Sequence, residues 1–135
     1  MRNKKTSEAG FTLIELMIIV VIIAIISMFA NSMYSKSVQK SRRAEGKALL
    51  LEAAALQERI FADSNPNAYA TDMTDLGYAN PADSENGLYT LTADLTDGFT
   101  LTVEAIGRQE VDTQCEFMYL NALGQKSSSP SSDCW

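Results

Sequence analysis

The stretch Gly10-Phe11-Thr12-Leu13-Ile14-Glu15-Leu16 opens an apolar run that continues to Ala30, with Glu15 as its one ionisable side chain. The 20 residues from Phe11 to Ala30, at about 1.5 Å of rise each, span the roughly 30 Å hydrocarbon core of a bilayer. An ordinary secretory signal is cut after its apolar stretch, and Ala30-Asn31-Ser32 offers such a site. The run is nevertheless longer than an export h-region. A plain membrane anchor fits the length, but leaves unexplained a carboxylate one turn into hydrocarbon, where an unpaired charge is costly.

Outward from this run, Met1 to Gly10 is short, polar and basic, carrying Arg2, Lys4, Lys5 and Glu8. The remainder is one small domain's worth of a 135-residue chain, enough for a modest core. The near-neutral mean hydropathy blends a membrane segment with a polar domain. Formal net charge is −6; taking the leader's charges from 11 basic and 17 acidic side chains leaves 8 against 16. An acidic domain repels nucleic acid and anionic surfaces, so nucleic acid is not an expected partner. Without histidine, the commonest general base and metal ligand is missing and a Ser-His pair is impossible. No P-loop, dinucleotide-binding glycine set or zinc motif occurs. Asp94, Asp97, Asp112 and Asp133 lack calcium-loop spacing and read as solvated turn residues. No enzyme, cofactor or metal is expected.

The motif from Gly10 to Leu16, set between lysines and an unbroken apolar run, resembles the type IV prepilin cleavage and methylation site of a class A prepilin. The resemblance implies that prepilin peptidase cuts between Gly10 and Phe11 and N-methylates Phe11. It further implies that Glu15 serves assembly, and that the partners are other major and minor pilins, the inner-membrane assembly platform and, beforehand, the inner membrane. The expected organisation is a leader at 1–10, a transmembrane and polymerisation helix at 11–34, and an extracytoplasmic domain at 35–135. Small size, the Cys134-Trp135 terminus and the Ser84 to Leu91 stretch look most like minor pilins of the PilE type. One departure is that no proline precedes Pro66, where many pilin helices kink; Asn31-Ser32-Met33 and Gly46 are only weak helix formers.

Within the domain, helix should run to about Asp63, since Ser64-Asn65-Pro66-Asn67 is a stop. Leu49, Ala53, Leu56 and Ile60 form one apolar stripe, and Leu50, Ala54 and Phe61 a second. Either the second stripe serves a neighbouring helix, or the helix is buried on a broad arc. Glu45, Glu52 and Arg59 form a charged strip. Lys36, Lys40, Arg42, Arg43 and Lys47 form a basic cluster that outnumbers the cations before the span and argues by count for the opposite orientation. The motif outweighs the count, and the cluster reads as a collar facing lipid headgroups. Tyr69, Leu76 and Tyr78 should anchor a loop-rich segment. Leu88–Ala93, Phe99–Ala105 and Cys115–Leu120 read as strands, the first two joined by a hairpin turn at Thr96-Asp97-Gly98. The expectation is an α+β pilin fold: a long N-terminal helix on a small antiparallel sheet. Cys115 and Cys134, beyond the membrane segment, should pair in an oxidising compartment. They would close the region at 115–134 that pilins use as their exposed, subunit-specific D-region.

The function expected is a structural minor subunit of a type IV pilus, lodged first in the bacterial inner membrane with its C-terminal domain periplasmic. It would later reach the cell surface in a pilus supporting assembly, twitching motility and adhesion. The alternatives are a pseudopilin of a type II secretion system, which the cysteine pair disfavours, and a DNA-binding pilin of a competence system. For the last, Arg108 and Lys126 are too few to suggest a basic face.

Overall fold

The computed structural model describes residues 10–135, and of residues 31 and 32 the backbone alone. The leader's basic residues and Glu8 lie outside the described residues. Helix α1 runs from Leu13 to Asp63, and its backbone stays helical across Asn31 to Met33. It ends where the sequence offers Ser64 and Pro66: the Ser64 hydroxyl donates to the Phe61 carbonyl and accepts from the Ala68 N–H. The described residues divide into two compact units between Ser37 and Val38.

The second unit carries a five-stranded antiparallel meander in chain order: β1 (Ala82–Asp83), β2 (Tyr89–Asp94), β3 (Thr100–Ala105), β4 (Phe117–Asn121) and β5 (Lys126–Ser129). The period-two pattern places Leu91, Val103 and Met118 in one cross-strand row, and Ala93, Leu101 and Leu120 in another. These rows face helix residues Leu50 and Ala53, and Tyr89, Met73 and Phe99 complete the core. Burying one such leucine is worth about 2–3 kcal/mol. The turns before β2 and β3 place Gly87 and Gly98 at positive φ, where a Cβ is disfavoured.

Gly46 lets sheet side chains lie directly against the helix backbone. A Cβ there would lie 2.8 Å from Met118 Cε and 3.0 Å from Tyr89 Cγ. Its weak helix propensity is therefore offset by the contact it permits. The buried row on this unit's helix is Gly46, Leu50, Ala53 and Gln57, spaced 4-3-4. Leu49, Leu56 and Ile60 on one flank and Ala54 on the other are half-buried against the core. The helix is thus buried on a broad arc, and no whole stripe is left over for a neighbour.

Two further expectations change. Lys126–Ser129, outside the three strands expected, pairs with β4 as the edge strand. Asp112, read as a solvated turn residue, is buried and bound to Arg43.

Candidate assembly and recognition sites

In the first unit, Thr12 caps the helix start by accepting the Glu15 N–H at 3.3 Å through its hydroxyl. Glu15 sits in the first turn, where the positive end of the helix dipole favours a carboxylate. Around it every large apolar side chain is exposed, Phe11 at 77% and Leu13 at 79%. Ile14, Met17, Ile18, Val21 and Ile22 line a shallow groove that is wholly apolar, at the i, i+3, i+4 spacing by which helices interlock. Among the described residues Glu15 has no ion-pair partner. The helix is long and apolar enough to cross a membrane, and none of its most apolar window is buried in the chain. Such a surface is unstable in water. It requires lipid or other apolar helices.

The second unit is fastened by polar contacts that local sequence patterns did not announce. Arg43 donates two parallel hydrogen bonds to Asp112, Nε to Oδ2 at 2.7 Å and Nη2 to Oδ1 at 2.8 Å. This fork is the strong geometry for a guanidinium on a carboxylate, and the hydrogen bond raises the arginine's pKa despite burial. Gln109 Nε2 donates to the same carboxylate and to the Gln39 carbonyl, and Arg42 donates to the Arg108 carbonyl. Two members of the basic cluster therefore hold the 107–112 loop rather than facing headgroups. Nearby, burial pushes the Tyr89 phenol up to about 12. Glu45 accepts from the Asn86 N–H and Nδ2; burial alone would raise its pKa, but bonds to Ser84 and Asn86 outweigh it and the net shift is downward. Gln57, buried, bonds both polar groups of Ala70.

The C-terminal segment is closed by the Cys115–Cys134 disulfide, with Cα atoms 5.7 Å apart. Trp135 Nε1 donates to the Ser127 carbonyl at 2.7 Å, and the Lys126 ammonium lies 4.9 Å from the indole ring centre. The pKa of Lys47 is lowered by burial and then by the positive charges of Arg43, Lys40 and Lys126. The charge of Lys126 thus bears on Lys47, although 79 positions separate them in sequence. Only pairing of β5 with β4 brings Lys126 to the helix side of the sheet. Among the described residues, Asp94, Asp97, Asp112 and Asp133 form no group able to hold a metal.

An N-terminal helix, an antiparallel meander and a disulfide-closed end define a pilin-like α+β protein. Residues 5–31 match the family model described as the prokaryotic N-terminal methylation motif, and residues 32–119 match the model of the type IV minor pilin ComP, DNA uptake sequence receptor. The chain belongs to this type IV minor pilin family. It is also 49% identical over 45 residues to a type IV major fimbrial protein FimA, and equally to a fimbrial protein, both of Dichelobacter nodosus. The match covers 33% of this chain and 28% of each relative.

Proposed function

We propose that the chain is a structural minor subunit of a type IV pilus. It is cleaved between Gly10 and Phe11 by prepilin peptidase, N-methylated at Phe11, and held by its apolar helix in the inner membrane with the C-terminal domain in the periplasm. It then co-polymerises with major and minor pilins at the assembly platform and supports pilus assembly, twitching motility and adhesion. The observation that carries this reading is Glu15, a single carboxylate one turn into a helical run whose side chains from Phe11 to Ala30 are all exposed. In a filament of such helices, the amino group freed on Phe11 of one subunit is the natural partner for Glu15 of the next. Cleavage creates that amine, so processing gates assembly.

The test is Glu15→Leu. The segment becomes more apolar, so insertion and cleavage proceed. The neighbour's amine loses its partner, a loss of about 3–5 kcal/mol for a buried pair. The variant should be processed, remain in the membrane and be missing from sheared filaments, with Glu15→Asp intermediate. Recovery of Glu15→Leu in filaments at wild-type level removes the intersubunit pair from the account.

A second reading is contact with DNA. The family model's description names a DNA uptake sequence receptor, and the charges of Arg43, Lys40 and Lys126, which bear on Lys47, supply local positive charge in an acidic domain. Filter binding of duplex DNA to the full chain separates the readings. Salt-dependent binding lost in a Lys47→Glu, Lys126→Glu double variant favours DNA contact; no binding at low salt excludes it.

A further inference from the structure

The face of the sheet turned away from the helix lies outside the sites described above, yet its side chains are not those of an inert surface. Alternation along β4 puts Phe117, Tyr119 and Asn121 on it, half-buried, while Met118 and Leu120 enter the core. The two rings are stacked, with centroids 6.4 Å apart and planes 18° from parallel. In register, Thr92, Thr102, Tyr119 and Ser127 make one cross-strand row, and Asp94, Thr100 and Asn121 the next. Beside the Tyr119 ring lies an open trough of about 660 Å³ lined by Thr100, Tyr119, Asn121, Gln125, Lys126 and Ser127. That volume is within the roughly 300–1,000 Å³ of small-ligand sites.

The hydrogen-bonding state of this lining is what selects a ligand. Asn121 is held rigid: its Oδ1 accepts from the Leu123 and Gln125 N–H groups, and its Nδ2 donates to Gln125 Oε1. The hydroxyls of Tyr119, Thr100 and Ser127 and the Nε2 of Gln125 have no protein partner among the described residues. Cross-strand packing explains why Phe117 and Tyr119 are half-buried. It does not require a set of free hydroxyls and an amide around one ring. The charges decide the ligand's sign. Asp83, Asp94 and Glu104 share this face by register, against the single ammonium of Lys126 on the trough's lining, which lies over Trp135. Three carboxylates against one ammonium disfavour phosphates and acidic sugars on this face, and an apolar protein surface would strand the hydroxyls without partners. A pyranose ring matches on both counts: its face of C–H groups carries partial positive charge suited to an aromatic face, and its hydroxyls both donate and accept.

We propose that this outer face is a binding site for a short neutral oligosaccharide, with Tyr119 as the stacking platform and Thr100, Gln125 and Ser127 as its hydrogen-bonding rim. The proposal deepens the adhesion part of the reading above and rests on it only in placing the domain outside the cell. Binding by the isolated chain does not need filament formation, so failure of one leaves the other standing.

The experiment is saturation-transfer NMR on the full chain in a detergent without a sugar headgroup, with maltotriose, cellotriose and chitotriose as probes. At least one should receive saturation, strongest at its ring C–H protons. Ser127→Tyr, which fills the trough without touching the core, should weaken it at least tenfold, and Tyr119→Ala should abolish it. Tyr119→Phe, which keeps the ring and removes the hydroxyl, should lose about threefold to tenfold. Thr90→Ala, on the same face outside the trough, should bind as wild type and reports that the sheet is intact. Silence of all three probes against wild type overturns the proposal. So does binding unchanged by Ser127→Tyr, or an oligothymidylate that binds the same trough more tightly than any sugar.

Discussion

Asp112 offers a perturbation whose cost can be worked out in advance. Its side chain is 2% exposed and that of Arg43 14%, so solvent screens the pair little. Asp112→Ala removes both guanidinium hydrogen bonds, at 2.7 and 2.8 Å, and the 2.9 Å bond from Gln109. It leaves a buried cation unpaired. Breaking a buried pair from one side costs about 3–5 kcal/mol, against a total of about 5–15 kcal/mol for a domain. At roughly 4–8 °C per kcal/mol, Tm should fall by at least about 12 °C. Replacing both partners, Arg43→Met with Asp112→Leu, removes the stranded charge and should return stability to within about 1–2 kcal/mol of wild type. Urea unfolding of residues 38–135, followed by circular dichroism across the four-member cycle, measures the coupling. If Asp112→Ala costs less than about 1 kcal/mol, or the double variant costs the sum of the singles, the Arg43–Asp112 fork is not what holds the 107–112 loop.

Gly10→Val should leave a full-length precursor in the inner membrane, because a branched side chain obstructs the peptidase; normal maturation on an immunoblot would contradict the proposed cleavage site. The Glu45 clamp should depend on pH. Its folded pKa is depressed, so its contribution is present above the ordinary value of 4.5 and is lost as pH falls through the lower folded value. The stability gap between wild type and Glu45→Gln should therefore shrink between pH 6 and pH 3, and a gap constant with pH would argue against the clamp. Cys134→Ser should cost about 3 kcal/mol, the chain-entropy value for a loop of this length. Limited proteolysis should then cut within residues 127–133 before the helix–sheet core; simultaneous loss of both would show that the tail is not a separable element.

What was legible in the sequence was local in origin. The apolar run with its single carboxylate, the helix stop at Ser64 to Pro66, three strands with their glycine turns and the cysteine pair all rest on patterns a few residues long. The edge strands were not visible for a physical reason. Lys126-Ser127-Ser128-Ser129 has no apolar alternation, since it is held by backbone pairing to β4, the disulfide and the Trp135 indole rather than by burial. Ala82–Asp83 is too short to show a period. The two apolar helix stripes left a surplus face and a broad buried arc equally open because Gln57 and Gly46, which occupy the centre of the buried arc, do not register as core residues. Gln57 is buried only because Ala70 satisfies its amide, and Gly46 only because Tyr89 and Met118 arrive over it. Asp112 looked solvated because Arg43 lies 69 positions away. For the sites, Glu15 and the cleavage motif stood out at once. The effect of Lys126 on Lys47 and the outer-face trough both needed the strand register before they came into view.

The central claim is that this chain is a processed subunit of a surface filament. Its most direct test is mass spectrometry of filaments sheared from the native cell. The account predicts a peptide from this chain whose first residue is Phe11 bearing an N-methyl group, together with other pilins. A chain found only in the inner membrane with Met1 to Gly10 still attached, or starting at any residue other than Phe11, would contradict it.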